Sequence, residues 1–359
     1  MALLELVSKP PTNTPATATL WDPAPFEKYT NASREIRTAG PRVAGNVFEW
    51  YIAREGDIVG ECMLEAEAAL RDPGWVKKLV DFHDAIESVT YTIGGQIVEK
   101  YSGQALKALS VFDVRARPSV GPDRVVVPLR LCTSQDTHAY MPLISLALHE
   151  VKVSVVIAPH WLDRIATDSV SLHVLFVHLD GEERRNLALN PQALRVTRKW
   201  SFEQSVDADG VSTYKVPLRF ENTTDLHAVR DMFVSIRRKT GFSQALSRDD
   251  VQLRLMVMVD DAQTASAEPV FIERQQWLGE LMLRQAIPKM CYGVCENPHD
   301  VYFFPFDHTP LSDVPTGSLN LVALNGFFEV RLAKGQYDVC VVARASSVLR
   351  TASGMVSVQ

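Results

Sequence analysis

The amino-acid sequence predicts an all-β protein built as two domains, each a sandwich or barrel of short antiparallel strands. Three observations carry this prediction. Apolar and polar residues alternate with a period of two along most of the chain, the pattern of strands with one buried face. Turn residues punctuate that alternation at Gly56-Asp57, Gly94-Gly95, Asp209-Gly210, Pro315 to Gly317, Asn325-Gly326 and Gly335. The strand segments also fall into two groups, about 46–179 and 214–343, in a chain of 359 residues that is long enough for two cores.

Residues 8–25 hold five prolines and four threonines and read as an extended arm. Beyond it, Phe48, Trp50 and Ile52 share one face of a strand. Ile58, Cys62, Leu64 and Ala66 share a face of the next, and Val89, Tyr91 and Ile93 of a third. The pattern continues through 125–131, 149–157 and 169–179, then through 214–220, 232–236, 251–259, 300–306, 326–332 and 337–343. Helix signals are few. Asp72-Pro73 fits an N-cap followed by Pro at the first helical position, with Trp75, Leu79 and Phe82 on one stripe. Short helices are also expected at 103–110, 191–200 and 274–286. Residues 180–200 read as a charged, strand-poor connector.

Composition narrows the function classes. Lys+Arg 37 against Asp+Glu 43 gives a net charge of -6, which argues against a protein that coats nucleic acid through its overall charge. No window approaches the ~18 uncharged apolar residues of a membrane span. The N-terminal stretch lacks the basic flank and apolar core of a secretory signal, so synthesis without export is expected. Five scattered cysteines make a reducing compartment the expectation.

Several short motifs recur in a fixed order. Arg54, Gly56, Asp57 and Ile58 form R-x-G-D-I, and Ile93 to Ile97 form I-G-G-Q-I. Pro128 and Leu129 precede Pro142, Leu143, Ile144, Leu146, His149 and Val151. Leu179, Asp180, Glu183, Arg184 and Arg185 form L-D-x-x-E-R-R, and Pro315, Thr316, Gly317, Ser318 and Asn320 form P-T-G-S-x-N. Leu349, Arg350, Ser353, Gly354 and Met355 close the series. Together these segments resemble the double jelly-roll major capsid proteins of nucleocytoplasmic large DNA viruses, over nearly the whole chain. The chain departs from that family in its compactness and in PLRLC at 128–132, where the family shows a sharper aromatic motif.

The resemblance implies two consecutive eight-stranded antiparallel jelly rolls with few short helices: an arm at 1–25, a first roll at 26–185 and a second at 186–359. It implies a structural subunit of the virion that forms homotrimers, pseudo-hexagonal tiles of an icosahedral capsid. Its partners would be itself, neighbouring capsomers, minor capsid and penton proteins and an internal membrane, with no direct nucleic acid. A minor capsid or assembly-scaffold role is the alternative within the class; a jelly-roll carbohydrate-binding or hydrolytic protein is the alternative outside it.

The residues themselves offer little chemistry, and no catalytic, cofactor or metal site is expected. Gly94-Gly95 reads as a tight hairpin rather than a phosphate loop, lacking G-x-G-x-x-G spacing. Cys291, Cys295, His299 and His308 read as a zinc site or, more in keeping with their spacing, as ordinary thiols and loop histidines. His173 and His178 are five apart and point to opposite faces of a strand, against a cupin-type metal site. Glu65 and Glu67 read as an exposed sheet face rather than a glycosidase pair. Arg237 to Lys239 read as a solvated strand end or, as the lesser reading, a contact to phosphate, a lipid headgroup or an acidic neighbour. Asn31 and Asn222 begin glycosylation sequons. The D-G-E-E-R-R segment is either a solvated turn with an Arg–carboxylate pair or a clamp in which Arg184 or Arg185 ties the two rolls together.

Overall fold

A computed structural model describes residues 32–67, 82–121, 123–135, 137–220, 226–238, 251–259, 269–271, 301–307, 317–322, 324–352 and 354–358. The first half runs β1 (Ala32–Ala39), β2 (Arg42–Ala44), β3 (Val47–Ile52), β4 (Ile58–Glu67), β5 (Ile86–Ile93) and β6 (Gln96–Tyr101). Helix α1 (Gly103–Phe112) follows, then β7 (Ser119–Val120), β8 (Arg124–Pro128), β9 (Val151–Ile157) and β10 (Ser171–Leu179). Helix α2 (Gly181–Leu189) leads to β11 (Gln192–Ala208), β12 (Ser212–Pro217), β13 (Val229–Arg238), β14 (Val251–Val259) and β15 (Pro269–Phe271). The chain ends through β16 (Val301–Pro305), β17 (Leu324–Leu332), β18 (Gly335–Ala352) and β19 (Met355–Val358).

Strand order makes each half a jelly roll. In the first, β1-β10-β4-β8 form one sheet and β3-β9-β5-β6 the other; in the second, β11-β18-β13-β16 and β12-β17-β14-β15 do the same. Lettered B to I along the chain, both halves have the order B-I-D-G facing C-H-E-F, the eight-stranded double-sheet arrangement of a jelly roll. The rolls share one continuous sheet: β6, the F strand of the first, lies parallel to β11, the B strand of the second, at Lys100 and Trp200.

The alternation places the cores as expected along β3, β5 and β9. Phe48, Trp50, Val89, Tyr91, Ile93, Val153 and Val155 are buried between the first roll's sheets. In β4 the parity shifts. Val59 and not Ile58 joins Cys62, Leu64 and Ala66 in the core, because β4 carries one extra residue opposite the step from Val174 to Phe176 in β10. In the second roll β13 and β18 are buried on both faces. Met232, Val234, Ile236, Val339 and Val341 pack inside it, while Phe233, Cys340 and Val342 pack with Ala105, Leu106 and Leu109 of α1. Such strands read as continuous apolar runs.

Three further expectations are corrected. Residues 191–200 are not a helix but the start of the 17-residue strand β11. Their alternation was hidden because Arg198 and Lys199 are buried charges, 2% and 1% exposed. Asn325-Gly326 is not a turn; both residues pair with β14 inside β17. The strand-poor connector shrinks to α2, for which Asp180 is the N-cap: its Oδ1 accepts the Glu183 N–H at 3.1 Å. The helix at 103–110 is present as α1, started by Ser102. The arm, the helices near 72–81 and 274–286, both sequons and the Cys291–His308 group lie outside the described residues.

Candidate functional sites at the motif junction and the joint between rolls

The motif residues, scattered in sequence, gather in two places. In the first, the β3–β4 loop meets the end of β10. Asp57 is 6% exposed; its Oδ2 accepts the Leu179 N–H at 2.8 Å, its N–H donates to the Val177 carbonyl at 3.0 Å and its carbonyl accepts the Ile144 N–H at 3.1 Å. A Cβ on neighbouring Gly56 would stand 2.8 Å from that of Phe176, so only hydrogen fits. Arg184 on α2 places Nε 2.9 Å from Asp57 Oδ1. This ion pair is made within the first roll and ties α2 to it, as does the Ser145 hydroxyl, which donates to the Leu187 carbonyl at 2.7 Å. Arg185 is exposed on α2. Pro142 begins the turn that carries Leu143 and Ser145 into this junction, accepting the Ser145 N–H at 3.1 Å.

The second gathering ties the C-terminus to the first roll. Gly94 and Gly95, at φ +57 and +80, close the β5–β6 hairpin, the pair of positive φ values that a two-residue type I′ turn requires. The imidazole of His149 lies against Gly94, and its Nδ1 accepts the Val356 N–H of β19 at 3.0 Å. Arg54 donates to the His149 carbonyl at 3.2 Å, and the Gly354 carbonyl accepts the Leu148 N–H at 2.9 Å. The remaining motif sits in the second roll. Gly317 lies against the Phe306 carbonyl, and Asn320 Oδ1 accepts the Val322 N–H at 3.0 Å. Pro315 lies outside the described residues.

Sequence reasoning missed a set of buried charges at the joint between rolls. Glu99 on β6 and Lys199 on β11 are 0% and 1% exposed at their side chains, with Lys199 Nζ 2.9 Å from Glu99 Oε2. Glu99 also accepts the Cys132 N–H at 2.6 Å, and Lys199 donates to the Arg130 carbonyl. Arg230 donates through Nε and Nη2, at 2.9 and 2.7 Å, to the single oxygen Oδ2 of Asp307, while Arg344 spans both oxygens of Asp231, Nε to Oδ1 at 2.7 Å and Nη2 to Oδ2. Bidentate geometry of this kind strengthens charge-assisted bonds. Arg130, at φ +50 the one non-glycine with positive φ among the described residues, pairs with Asp113 at 2.8 Å. Burial acts to raise the Asp113 pKa, but Arg130 and Arg115 outweigh it and hold that carboxyl below its ordinary value. The signal for these residues was present as charges interrupting apolar runs, in VRDMFV, VVARA and RVTRKW.

Reactive chemistry has little foothold among the described residues. Burial pushes the Cys62 thiol up to about 12 and those of Cys132 and Cys340 upward as well, which keeps them protonated and poor nucleophiles. His173 binds Glu65 and Thr38, while His178 binds Glu35. Glu65 and Glu67 are both taken up by Arg124 on the neighbouring strand β8. Arg237, at the end of β13, pairs with Asp84 at 3.2 Å.

No family model matches the chain. A curated relative described as the major capsid protein of Pyramimonas orientalis virus is 26% identical over 199 residues, 48% of this chain. The match spans about half, 48%, of that relative's own length. Among solved structures, the PBCV-1 virus capsid matches with a TM-score of 0.69 at 16% identity, over 95% of this chain and 99% of that one. The Faustovirus major capsid protein matches at a TM-score of 0.61 and 8% identity, over 94% and 93%. At these identities the structural likeness speaks for fold, and it agrees with the strand orders above: the chain is a double jelly roll.

Proposed function

We propose that this chain is a major capsid protein, a structural subunit whose homotrimers tile an icosahedral virus shell. The observation that carries the reading is the joint between rolls. Inside the chain the F strand of one roll lies beside the B strand of the next. The counterparts of those two edges, β1 as B of the first roll and β15 as F of the second, have no strand on their outer sides among the described residues. Repeating the same joint between copies is a head-to-tail contact, and such contacts generate rings when the rotation closes. Six near-equivalent rolls from three chains give a hexagonal tile. β1 suits a contact edge: seven of its eight residues are exposed, and Ile36 presents 58% of its surface. Long exposed edge strands are otherwise blunted, as the short β2 and β7 edges are here.

The division of the chain into rolls at 185 and 186, within α2, belongs to the same reading. So do placement in the virion, contacts to neighbouring capsomers, minor capsid and penton proteins and an internal membrane, and the absence of enzymatic activity. The name of the curated relative supports the shell role over the scaffold role.

Light scattering and negative-stain microscopy of the purified protein test the proposal. A trimer with a hexagonal outline is expected, and Ile36→Lys should yield folded monomers whose circular dichroism spectrum matches that of wild type. A wild-type protein that stays monomeric at micromolar concentration would overturn it. Copy number in purified particles separates shell from scaffold: a subunit absent from finished particles is not the major shell protein.

A further inference from the structure

The two rolls enclose a cavity of about 160 Å³ where α1 and the β8–β9 connection face β11, β13 and β18. Its walls carry Arg115 and Arg130 from the first roll and Arg195, Lys199, Arg230 and Arg344 from the second, with Asp113 as the one carboxylate among the lining residues. Three more carboxylates stand behind that wall: Glu99, Asp231 and Asp307, each 0% exposed, hold Lys199, Arg344 and Arg230 respectively. Arg115 and Arg130 share Asp113. Six cations and one carboxylate therefore line a partly enclosed space, with Glu61 also acting on Arg130, and the lining cations that reach solvent most are Arg115 and Arg195.

We infer that this cavity binds a small tetrahedral oxyanion of the phosphate class. A cleft lined mostly by one sign of charge focuses the field and raises the local concentration of counter-ions. Guanidinium N–H groups match phosphate oxygens, and five arginines line the space, Arg195, Arg230 and Arg344 set on strands and Arg115 and Arg130 held by Asp113. Reduced dielectric between the rolls strengthens each contact. Room for a water molecule needs roughly 10–15 Å³ on the same measure, so the space is ample for a phosphate and its waters. Because the cations come from both rolls, the anion bridges them and stabilises the joint by mass action. The inference stands on the cavity alone and does not require the chain to assemble.

Calorimetric titration of the full chain with inorganic phosphate, at constant ionic strength in chloride, tests it. One saturable site per chain is expected, together with a rise in melting temperature that saturates over the same concentrations. Arg115→Ala and Arg195→Ala change exposed positions, so folding is retained; each should weaken binding roughly tenfold, the loss of one charge-assisted hydrogen bond. Lys215→Ala, on β12 at the far sheet of the second roll, should titrate like wild type. Absence of saturable heat, or wild-type affinity in both arginine variants, would overturn the assignment.

Discussion

Gly94 holds φ +57 with the His149 ring 2.5 Å from where a Cβ would stand, whereas Gly95 holds φ +80 facing open space. Alanine at either position bears the left-handed backbone cost of roughly 1–2 kcal/mol. At Gly94 it must also push away the ring that accepts the Val356 N–H. Chemical denaturation should therefore show Gly94→Ala to be the more destabilising of the two, with β19 amides losing hydrogen-exchange protection in that variant alone; equal losses would mean that His149 yields freely. Asp113 gives a pH prediction at the same scale. Its folded pKa is depressed, net of the opposing effect of burial, by Arg130 and Arg115. A depressed carboxylate contributes stability above its unfolded value of roughly 3.9 and loses it as pH falls through the folded value. Asp113→Asn should accordingly lower the melting temperature at pH 6, and the gap from wild type should shrink at pH 3. A gap that persists or widens on acidification would show that the carboxylate's charge is not what matters.

Helix α2 is polar, exposed along most of its length and tied down at its first turn by Asp180 and by Arg184 to Asp57. With little apolar surface to bury, its stability rests on those contacts, so Asp180→Ala should cost about 1 kcal/mol and fray the helix without disturbing either core. Circular dichroism and urea unfolding would register a loss in that range; a loss of several kcal/mol would mean that α2 carries packing not evident from its exposure. Such elements divide by how they could be read. β3, β5 and β9 were legible because each has one wet face, and α1 because its length and position fit a short helix. β11 was not, since Arg198 and Lys199 look like solvent residues until Val98, Trp200 and Glu99 are seen around them. The parity of β4 failed at a bulge that has no local signature beyond Gly60, and Asn325-Gly326 shows that a strong turn dipeptide yields when the neighbouring strand β14 pairs with it. Of the candidate sites, the motif residues were visible one by one, but their convergence on Asp57 and His149 depends on contacts separated by as many as 207 residues.

Across the whole molecule the rolls are joined by a core rather than by a linker. Phe233, Phe303, Cys340 and Val342 of the second roll belong to the apolar cluster centred on the first, with Phe233 and Phe303 stacked at 4.8 Å. Glu99 and Lys199 cross the same boundary, one on each side of the β6–β11 contact. Two rolls fastened this way should unfold in a single transition. Lys199→Met removes one charge and leaves Glu99 buried without its cation, a loss of about 3–5 kcal/mol. Converting Glu99 to Gln as well removes the orphaned charge while keeping an oxygen for the Cys132 N–H, so Lys199→Met/Glu99→Gln should regain much of that loss. In the single variant the weakened joint should also split calorimetric unfolding into two steps, because each roll keeps its own eight strands. Additive losses in the double variant, or one undivided transition in all three proteins, would place the strength of the joint in its apolar contacts instead of in this pair.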